Sequence, residues 1–125
     1  FALKLQETCL IPVQGMSSSD FLHGPIASLH ENSQVIFLVP HHLPTNSFGE
    51  APDRVRAITG KVFWIGSTEL AQNGDTSIRT PLSDSETKAC LSDAIIFQKI
   101  THNLAVSNGF DPDQPKGLSK VTITK

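Results

Sequence analysis

Two short apolar runs, at 34–40 and 61–66, interrupt an otherwise mixed pattern of hydrophobic and polar positions. Each run is rich in branched and aromatic residues and is flanked by polar or turn-forming residues. Each therefore predicts a strand buried on both faces, as in a parallel sheet. The segment between the runs predicts a helix capped by Asn46 or Ser47, with Pro52 confined to about its first turn. Strand, helix and strand in this order predict a crossover unit.

Helical periodicity appears before this unit. Ala2, Leu5 and Cys9 recur on one face of a helix, and Pro12 is expected to end that helix. Ser17 resembles an N-terminal cap for a short helical turn that follows. The front of the chain is therefore predicted to be helical.

A weaker strand and a long helix are predicted after the crossover unit. The strand is expected at 76–80, and Ser83 with Glu86 resembles a capping box that opens a helix over 86–108. Gly109 is expected to stop this helix. Its predicted core positions include Leu91, Ala94, Ile95, Leu104 and Ala105. The alternation of strands and helices predicts an α/β layered fold.

Length, charge and cysteine content limit the class of protein. A chain of 125 residues predicts a single domain over 1–125. Ten lysines and arginines against twelve aspartates and glutamates, without a basic run, argue against nucleic-acid binding. The apolar runs are too short to cross a bilayer, so we expect a cytoplasmic protein without membrane contact. Cys9 and Cys90 predict neither a disulfide framework nor a zinc site, and both are expected to be buried.

The residue types alone identify few candidates for chemistry. Lys4 and Glu7 are three apart on a predicted helix, which is the spacing of an ordinary exposed ion pair. His41 and His42 are adjacent but lack a third ligand, so they are expected to be loop histidines rather than a metal site. These patterns leave catalytic and structural interpretations open.

Three stretches carry more specific information: 2–7 (ALKLQE), 18–25 (SSDFLHGP) and 113–120 (DQPKGLSK). In order and spacing they resemble the second subdomain of the sugar isomerase (SIS) family. That subdomain occurs in glutamine:fructose-6-phosphate amidotransferase and its glutaminase-free relatives. The resemblance implies a flavodoxin-like, three-layer αβα fold with a parallel sheet. The family's subdomain opens with a strand and a glycine-rich turn, so we expect this chain to be incomplete at its N-terminus.

The resemblance also implies roles for individual residues. Glu7 corresponds to the base that moves a proton between adjacent carbons of an open-chain sugar. His23 corresponds to a residue that opens the sugar ring and reaches the site of a neighbouring subunit. Lys120 corresponds to a lysine that forms a Schiff base or holds the substrate oxygens. Lys4 and Ser119 are the expected substrate-binding residues.

The implied activity is that of an aldose/ketose isomerase or deaminase acting on hexosamine or hexose 6-phosphates, without a cofactor or metal. The implied partners are the sugar phosphate, an N-terminal SIS subdomain that holds the phosphate, and a second copy in a homodimer. Two alternatives remain open: the isomerase lobe of the amidotransferase itself, and a non-catalytic SIS domain that senses a phosphosugar. The joint presence of Glu7, His23 and Lys120 favours an enzyme over a sensor.

Overall fold

The computed structural model describes residues 1–41 and 44–118. It divides into two compact units, one formed by 16–93 and the other by 1–15 with the residues from 94 onward, and each is described by itself. The elements in chain order are α1 (Ala2–Cys9), α2 (Ser18–Leu22), a 3-10 turn (Pro25–Ser28), β1 (Val35–Val39), a second 3-10 turn (Thr45–Phe48), α3 (Ala51–Arg56), β2 (Val62–Gly66), β3 (Thr76–Arg79) and α4 (Glu86–Ser107).

The unit formed by 16–93 contains an open parallel sheet of order β1-β2-β3. Val35 pairs with Val62, and Phe63 pairs with Thr76. All three predicted strands and the α3 crossover between β1 and β2 are confirmed, as is the α/β class. The prediction that both strands are buried on both faces fits β2 better than β1, because Ile36 of β1 is 37% exposed. The difference arises because, among the described strands, β2 has a neighbour on each side and β1 has only one.

The core of this unit is built on aromatic and branched side chains from β1, α3 and β2. The ring of Phe37 stacks on Trp64 with centroids 4.6 Å apart, and Phe48 meets Phe37 edge to face at 5.6 Å. Val55 of α3 is fully buried against this group. Apolar burial of this kind stabilises by about 25 cal/mol per Å² of surface removed from water, so the sheet and α3 form one packed body.

A polar network fastens the connection between β2 and β3, which runs over 67–75 and contains no helix. Asp75 Oδ2 accepts hydrogen bonds from Arg56 Nη2 at 2.7 Å, from Trp64 Nε1 at 2.7 Å and from the backbone N–H of Gln72 at 3.0 Å. Burial by itself would raise the pKa of Asp75. The hydrogen bonds from Arg56, Gln72 and Trp64, with the positive charge of Arg56, outweigh burial and hold that pKa below its ordinary value of 3.8.

The carboxyl ends of β1 and β2 approach each other closely at Gly66. This residue has a φ of 115°, a value that L side chains rarely adopt. A Cβ atom at position 66 would collide with the carbonyl oxygen of Val39. That same oxygen accepts a hydrogen bond from the backbone N–H of Ser67 at 2.8 Å. Glycine is therefore required by the spacing of the two strands.

The start of α3 differs from the sequence prediction. The cap predicted at Asn46 or Ser47 is wrong, since both residues lie in a 3-10 turn. Gly49, with a φ of 51°, follows this turn and interrupts the helical path. The helix begins instead after Glu50, without a side-chain cap and with Pro52 in its first turn as expected.

The other unit packs α1 against the C-terminal part of α4. Leu5, Cys9 and Ala105 are buried together, which confirms the predicted apolar face of α1. The ring of Phe1 stacks on Phe97 at 4.9 Å. α1 ends earlier than Pro12 would require, because Leu10 adopts a left-handed conformation with a φ of 55°.

The long helix α4 occurs where it was predicted, but its buried face was only partly anticipated. Leu91 and Ile95 are 63% and 54% exposed, and Ala94 is also exposed, so their assignment to the core is wrong. Apolar residues occur around most of the circumference of α4, and periodicity therefore did not identify the packed face. Ala105 is fully buried as predicted, while Cys90 is exposed rather than buried.

The end of α4 follows the predicted glycine stop. Gly109 has a φ of 78°, its N–H donates to the Val106 carbonyl, and the N–H of Phe110 donates to the Ala105 carbonyl at 2.9 Å. These two bonds form a Schellman motif, which satisfies the last carbonyls of a helix. No helix within the described ranges is long and apolar enough to cross a membrane.

Candidate functional site

α1 presents the two charged residues singled out near the front of the chain. Lys4 Nζ lies 2.8 Å from Glu7 Oε2, which confirms the predicted pair. The Lys4 side chain is 61% exposed and that of Glu7 is 27% exposed. Glu7 is therefore the more sheltered of the two, and it combines a hydrogen-bonded carboxylate with access from solvent.

Hydrogen bonds on either side of Glu7 fix the position of α1. Gln6 Nε2 donates to the Val13 carbonyl at 2.6 Å, which ties the helix to the segment that follows it. Cys9 Sγ donates to the backbone carbonyl of Thr101 at 3.4 Å in the buried contact with α4. Because both neighbours are anchored, the rotation of α1 is fixed, and so is the direction in which Glu7 is presented.

His23 belongs to the unit formed by 16–93, where it follows the short helix α2. Ser17 Oγ caps this helix by accepting from the N–H of Asp20 at 3.1 Å, as predicted. The backbone N–H of His23 donates to the Asp20 carbonyl at 3.3 Å, and Gly24 follows. The His23 side chain is exposed, and its ring has no hydrogen bond to any residue in the described part of the chain. An imidazole in this setting is accessible for proton transfer to a ligand.

Two of the five predicted site residues, Ser119 and Lys120, lie outside the described residues. Their roles stay predictions. Of the remaining three, the structure brings Lys4 and Glu7 together on α1, while His23 belongs to the other unit.

One polar contact at the carboxyl edge of the sheet was not anticipated. His41 follows β1 and Thr80 follows β3, and the His41 Nε2 atom lies 2.8 Å from the Thr80 carbonyl oxygen. Ligands of open α/β sheets bind beyond the carboxyl ends of the strands. The sequence feature that could have identified His41 in advance is its place directly after a predicted parallel strand.

Metal binding finds no support in the described residues. Within 1–41 and 44–118, no three histidine, cysteine, aspartate or glutamate side chains are grouped so that they could hold a metal ion. His42, the neighbour of His41, lies outside these ranges. His41 itself is engaged with a backbone carbonyl rather than with a second ligand side chain.

Nearly the whole chain is similar in sequence to isomerizing glutamine–fructose-6-phosphate aminotransferases. It is 29% identical over 124 residues to a probable enzyme of this name from Acanthamoeba polyphaga mimivirus, which covers 99% of this chain and 20% of that protein. It is 30% identical over 127 residues to the Caulobacter vibrioides enzyme and 32% identical over 127 residues to that of Agrobacterium fabrum. In each of these two, 98% of this chain and 21% of the relative are covered. The chain thus spans about a fifth of the length of these relatives.

Solved structures give the same result for the fold, while no family model matches the chain. A putative phosphosugar isomerase from Clostridium difficile 630 superposes with a TM-score of 0.75 at 27% identity, over 92% of this chain and 32% of that one. The C-terminal domain of glucosamine-fructose-6-phosphate aminotransferase from Francisella tularensis has the same fold, with a TM-score of 0.66 at 21% identity over 90% of this chain and 32% of that one. The expected αβα fold and the resemblance to the sugar isomerase (SIS) family are therefore confirmed.

Proposed function

We propose that this chain is the second half of a two-lobed sugar isomerase protein that binds phosphorylated sugars and acts on hexose or hexosamine 6-phosphates. The observation that supports this most strongly is the alignment of 98–99% of the chain with isomerizing aminotransferases. In this proposal 1–125 forms one SIS subdomain, and a preceding subdomain holds the sugar phosphate. The apolar strand β1, which has a neighbour on only one side among the described strands, suits a sheet that continues into further chain.

In this proposal each candidate residue has a chemical role. Moving a carbonyl between adjacent carbons requires a base that removes a proton from one carbon and returns it to the other. Glu7 supplies that carboxylate, and Lys4 places a positive charge beside the reacting oxygens. His23 exchanges a proton with the ring oxygen when the sugar opens. Lys120 forms a Schiff base with the ketose or holds its oxygens, and Ser119 binds substrate.

A second candidate function is favoured by the names of the relatives. The three sequence relatives described above are named as isomerizing glutamine–fructose-6-phosphate aminotransferases, one of them as a probable one. In that case the lobe isomerises a sugar that receives ammonia, whereas the first candidate also includes release of ammonia from glucosamine 6-phosphate. A sensor that only binds the sugar phosphate is the remaining alternative.

The experiment that tests the proposed function follows hydrogen exchange in deuterated solvent. The intact protein that contains this chain is incubated with fructose 6-phosphate, and deuterium at C1 of the ketose and at C2 of the aldose product is measured by NMR. We expect exchange with fructose 6-phosphate and none with fructose at the same concentration, because in this proposal the partner subdomain holds the phosphate. Glutamine-dependent formation of glucosamine 6-phosphate would identify the aminotransferase, and ammonia release from that product would identify the deaminase. Binding without exchange would indicate a sensor. The proposal would be refuted if the protein showed no binding and no exchange.

We also propose that the intact protein is a homodimer in which His23 completes the site of the partner subunit. Glu7→Gln and His23→Ala subunits should each be inactive alone. Mixed and allowed to exchange, they should recover measurable activity, because one site of the mixed dimer then holds both Glu7 and His23. Each variant carried through the same exchange by itself is the control. An active monomer, or no recovery in a mixture shown to exchange, would exclude sharing between subunits.

A further inference from the structure

The contact between His41 and Thr80 spans the carboxyl edge of the sheet. β2 lies between the two strands that these residues follow, and it ends at Gly66, which has no side chain. The bond of 2.8 Å therefore joins the ends of β1 and β3 across the end of the middle strand. His41 is partly buried there, which restricts its ring without removing it from solvent.

This contact determines which nitrogen of the neutral His41 ring carries the proton. A carbonyl oxygen can only accept a hydrogen bond, so Nε2 must be the donor to Thr80. A neutral imidazole has one N–H, and Nδ1 is then left with its lone pair. Nδ1 has no hydrogen-bond partner in the described ranges. His41 is thus held in one orientation, in which Nδ1 is the ring atom that can accept a hydrogen bond.

The side chain of Thr80 is a second unusual feature of the same edge of the sheet. Thr80 is 2% exposed, and its Oγ1 has no hydrogen-bond partner among the described residues. Buried polar atoms are nearly always paired, and the exceptions concentrate where a protein keeps a costly arrangement for function. The end of β3 therefore carries a destabilising feature beside the carbonyl that orients His41.

We infer that His41 is a ligand-binding residue that accepts a hydrogen bond from a sugar hydroxyl through Nδ1. A hydroxyl is the fitting class of ligand because it can donate to a neutral imidazole, whereas a fully ionised phosphate cannot. The inference rests on the proposed function and adds to it a contact at the carboxyl edge of this chain's sheet. The Thr80 carbonyl is the positioning group, since it acts on the ligand only through the His41 ring.

The direct test measures the two ring nitrogens of His41 by ¹⁵N NMR in the intact protein at alkaline pH, where imidazoles are neutral. We expect the Nε2–H form, and a shift of Nδ1 when fructose 6-phosphate is added. Fructose at higher concentration should cause the same shift, and inorganic phosphate should not. A ring in the Nδ1–H form, an unmoved Nδ1 with the ligand bound, or a shift with inorganic phosphate alone would overturn the inference.

A second test measures the affinity of variants for fructose 6-phosphate. His41→Phe removes the acceptor and should weaken fructose 6-phosphate binding about tenfold, which is the effect of losing about 1.4 kcal/mol. His30→Phe is the matched control, because His30 lies in an exposed turn after the first 3-10 segment, and its affinity should equal that of the parent. Equal affinity of both variants would refute the role of His41 and leave the proposed function intact. Absence of sugar phosphate binding in the parent would refute both.

Discussion

Replacing Glu7 with glutamine should lower the turnover of fructose 6-phosphate in the intact protein by about 10²- to 10⁴-fold, the usual contribution of a general base. The variant keeps the size of the side chain and can still accept a hydrogen bond from Lys4, which lies 2.8 Å away in the parent. It loses the negative charge, and with it the basicity. Affinity for the sugar phosphate should change little, because in our proposal the phosphate is held by the other subdomain.

The matched control is Glu50→Gln. Glu50 pairs with Arg54 at 3.0 Å on an exposed surface, so it undergoes the same chemical change in a similar ion pair. Exposed pairs contribute at most about 1 kcal/mol to stability, and this variant should turn over at the parent's rate. Hydrogen exchange at C1 and C2 should slow in Glu7→Gln in parallel with turnover. Parent-like turnover and exchange in Glu7→Gln would mean that another group is the base.

Replacing Asp75 with asparagine should lower the free energy of unfolding by about 3–5 kcal/mol, the usual cost of removing one partner from a buried ion pair. The Asp75 side chain is 7% exposed and that of Arg56 is 18% exposed, so solvent can compensate the lost charge only slightly. The change also weakens the bond from Trp64. Chemical denaturation followed by tryptophan fluorescence would measure the loss.

Asp53→Asn is the control for this variant, because Asp53 contacts the same Arg56 at 3.4 Å but is 82% exposed. Its unfolding free energy should fall by at most about 1 kcal/mol. If Asp75→Asn and Asp53→Asn lower the free energy of unfolding equally, the buried network is not what stabilises the connection between β2 and β3.

The same network sets the direction of a pH effect. Because the folded-state pKa of Asp75 lies below its ordinary value of 3.8, folding favours the ionised carboxylate. The contribution of the Asp75 carboxylate to the free energy of unfolding is fully present at pH values above 3.8. This contribution is lost as the pH falls from 3.8 through the folded-state pKa. Asp75→Asn should lack this acid-sensitive component, so the stabilities of the parent and the variant should converge at low pH.

Local signals in the sequence were enough to predict most of the elements. The apolar runs predicted β1 and β2, Ser17 predicted the start of α2, and Gly109 predicted the end of α4. These features act over a few residues, and so their sequence patterns suffice. The packed face of α4 depends on which elements lie against it. Because α4 carries apolar residues on several sides, its sequence did not exclude Leu91 and Ile95 from the core.

The polar contacts were predictable only where they are local. Lys4 and Glu7 lie one helical turn apart, so their pairing follows from helix geometry. The bonds of Asp75 to Arg56 and Trp64 connect α3, β2 and a loop, and the bond of His41 to Thr80 requires the order of the strands. Neither has a fixed spacing in sequence. The roles of Glu7 and His23 came from resemblance to a family rather than from any such pattern.

Gly66 limits how sequences of this kind can diverge. It carries no functional group, yet any side chain there would collide with the Val39 carbonyl as long as β1 and β2 keep their register. Position 66 should therefore stay glycine in every variant that retains the sheet, whatever residues follow the strands.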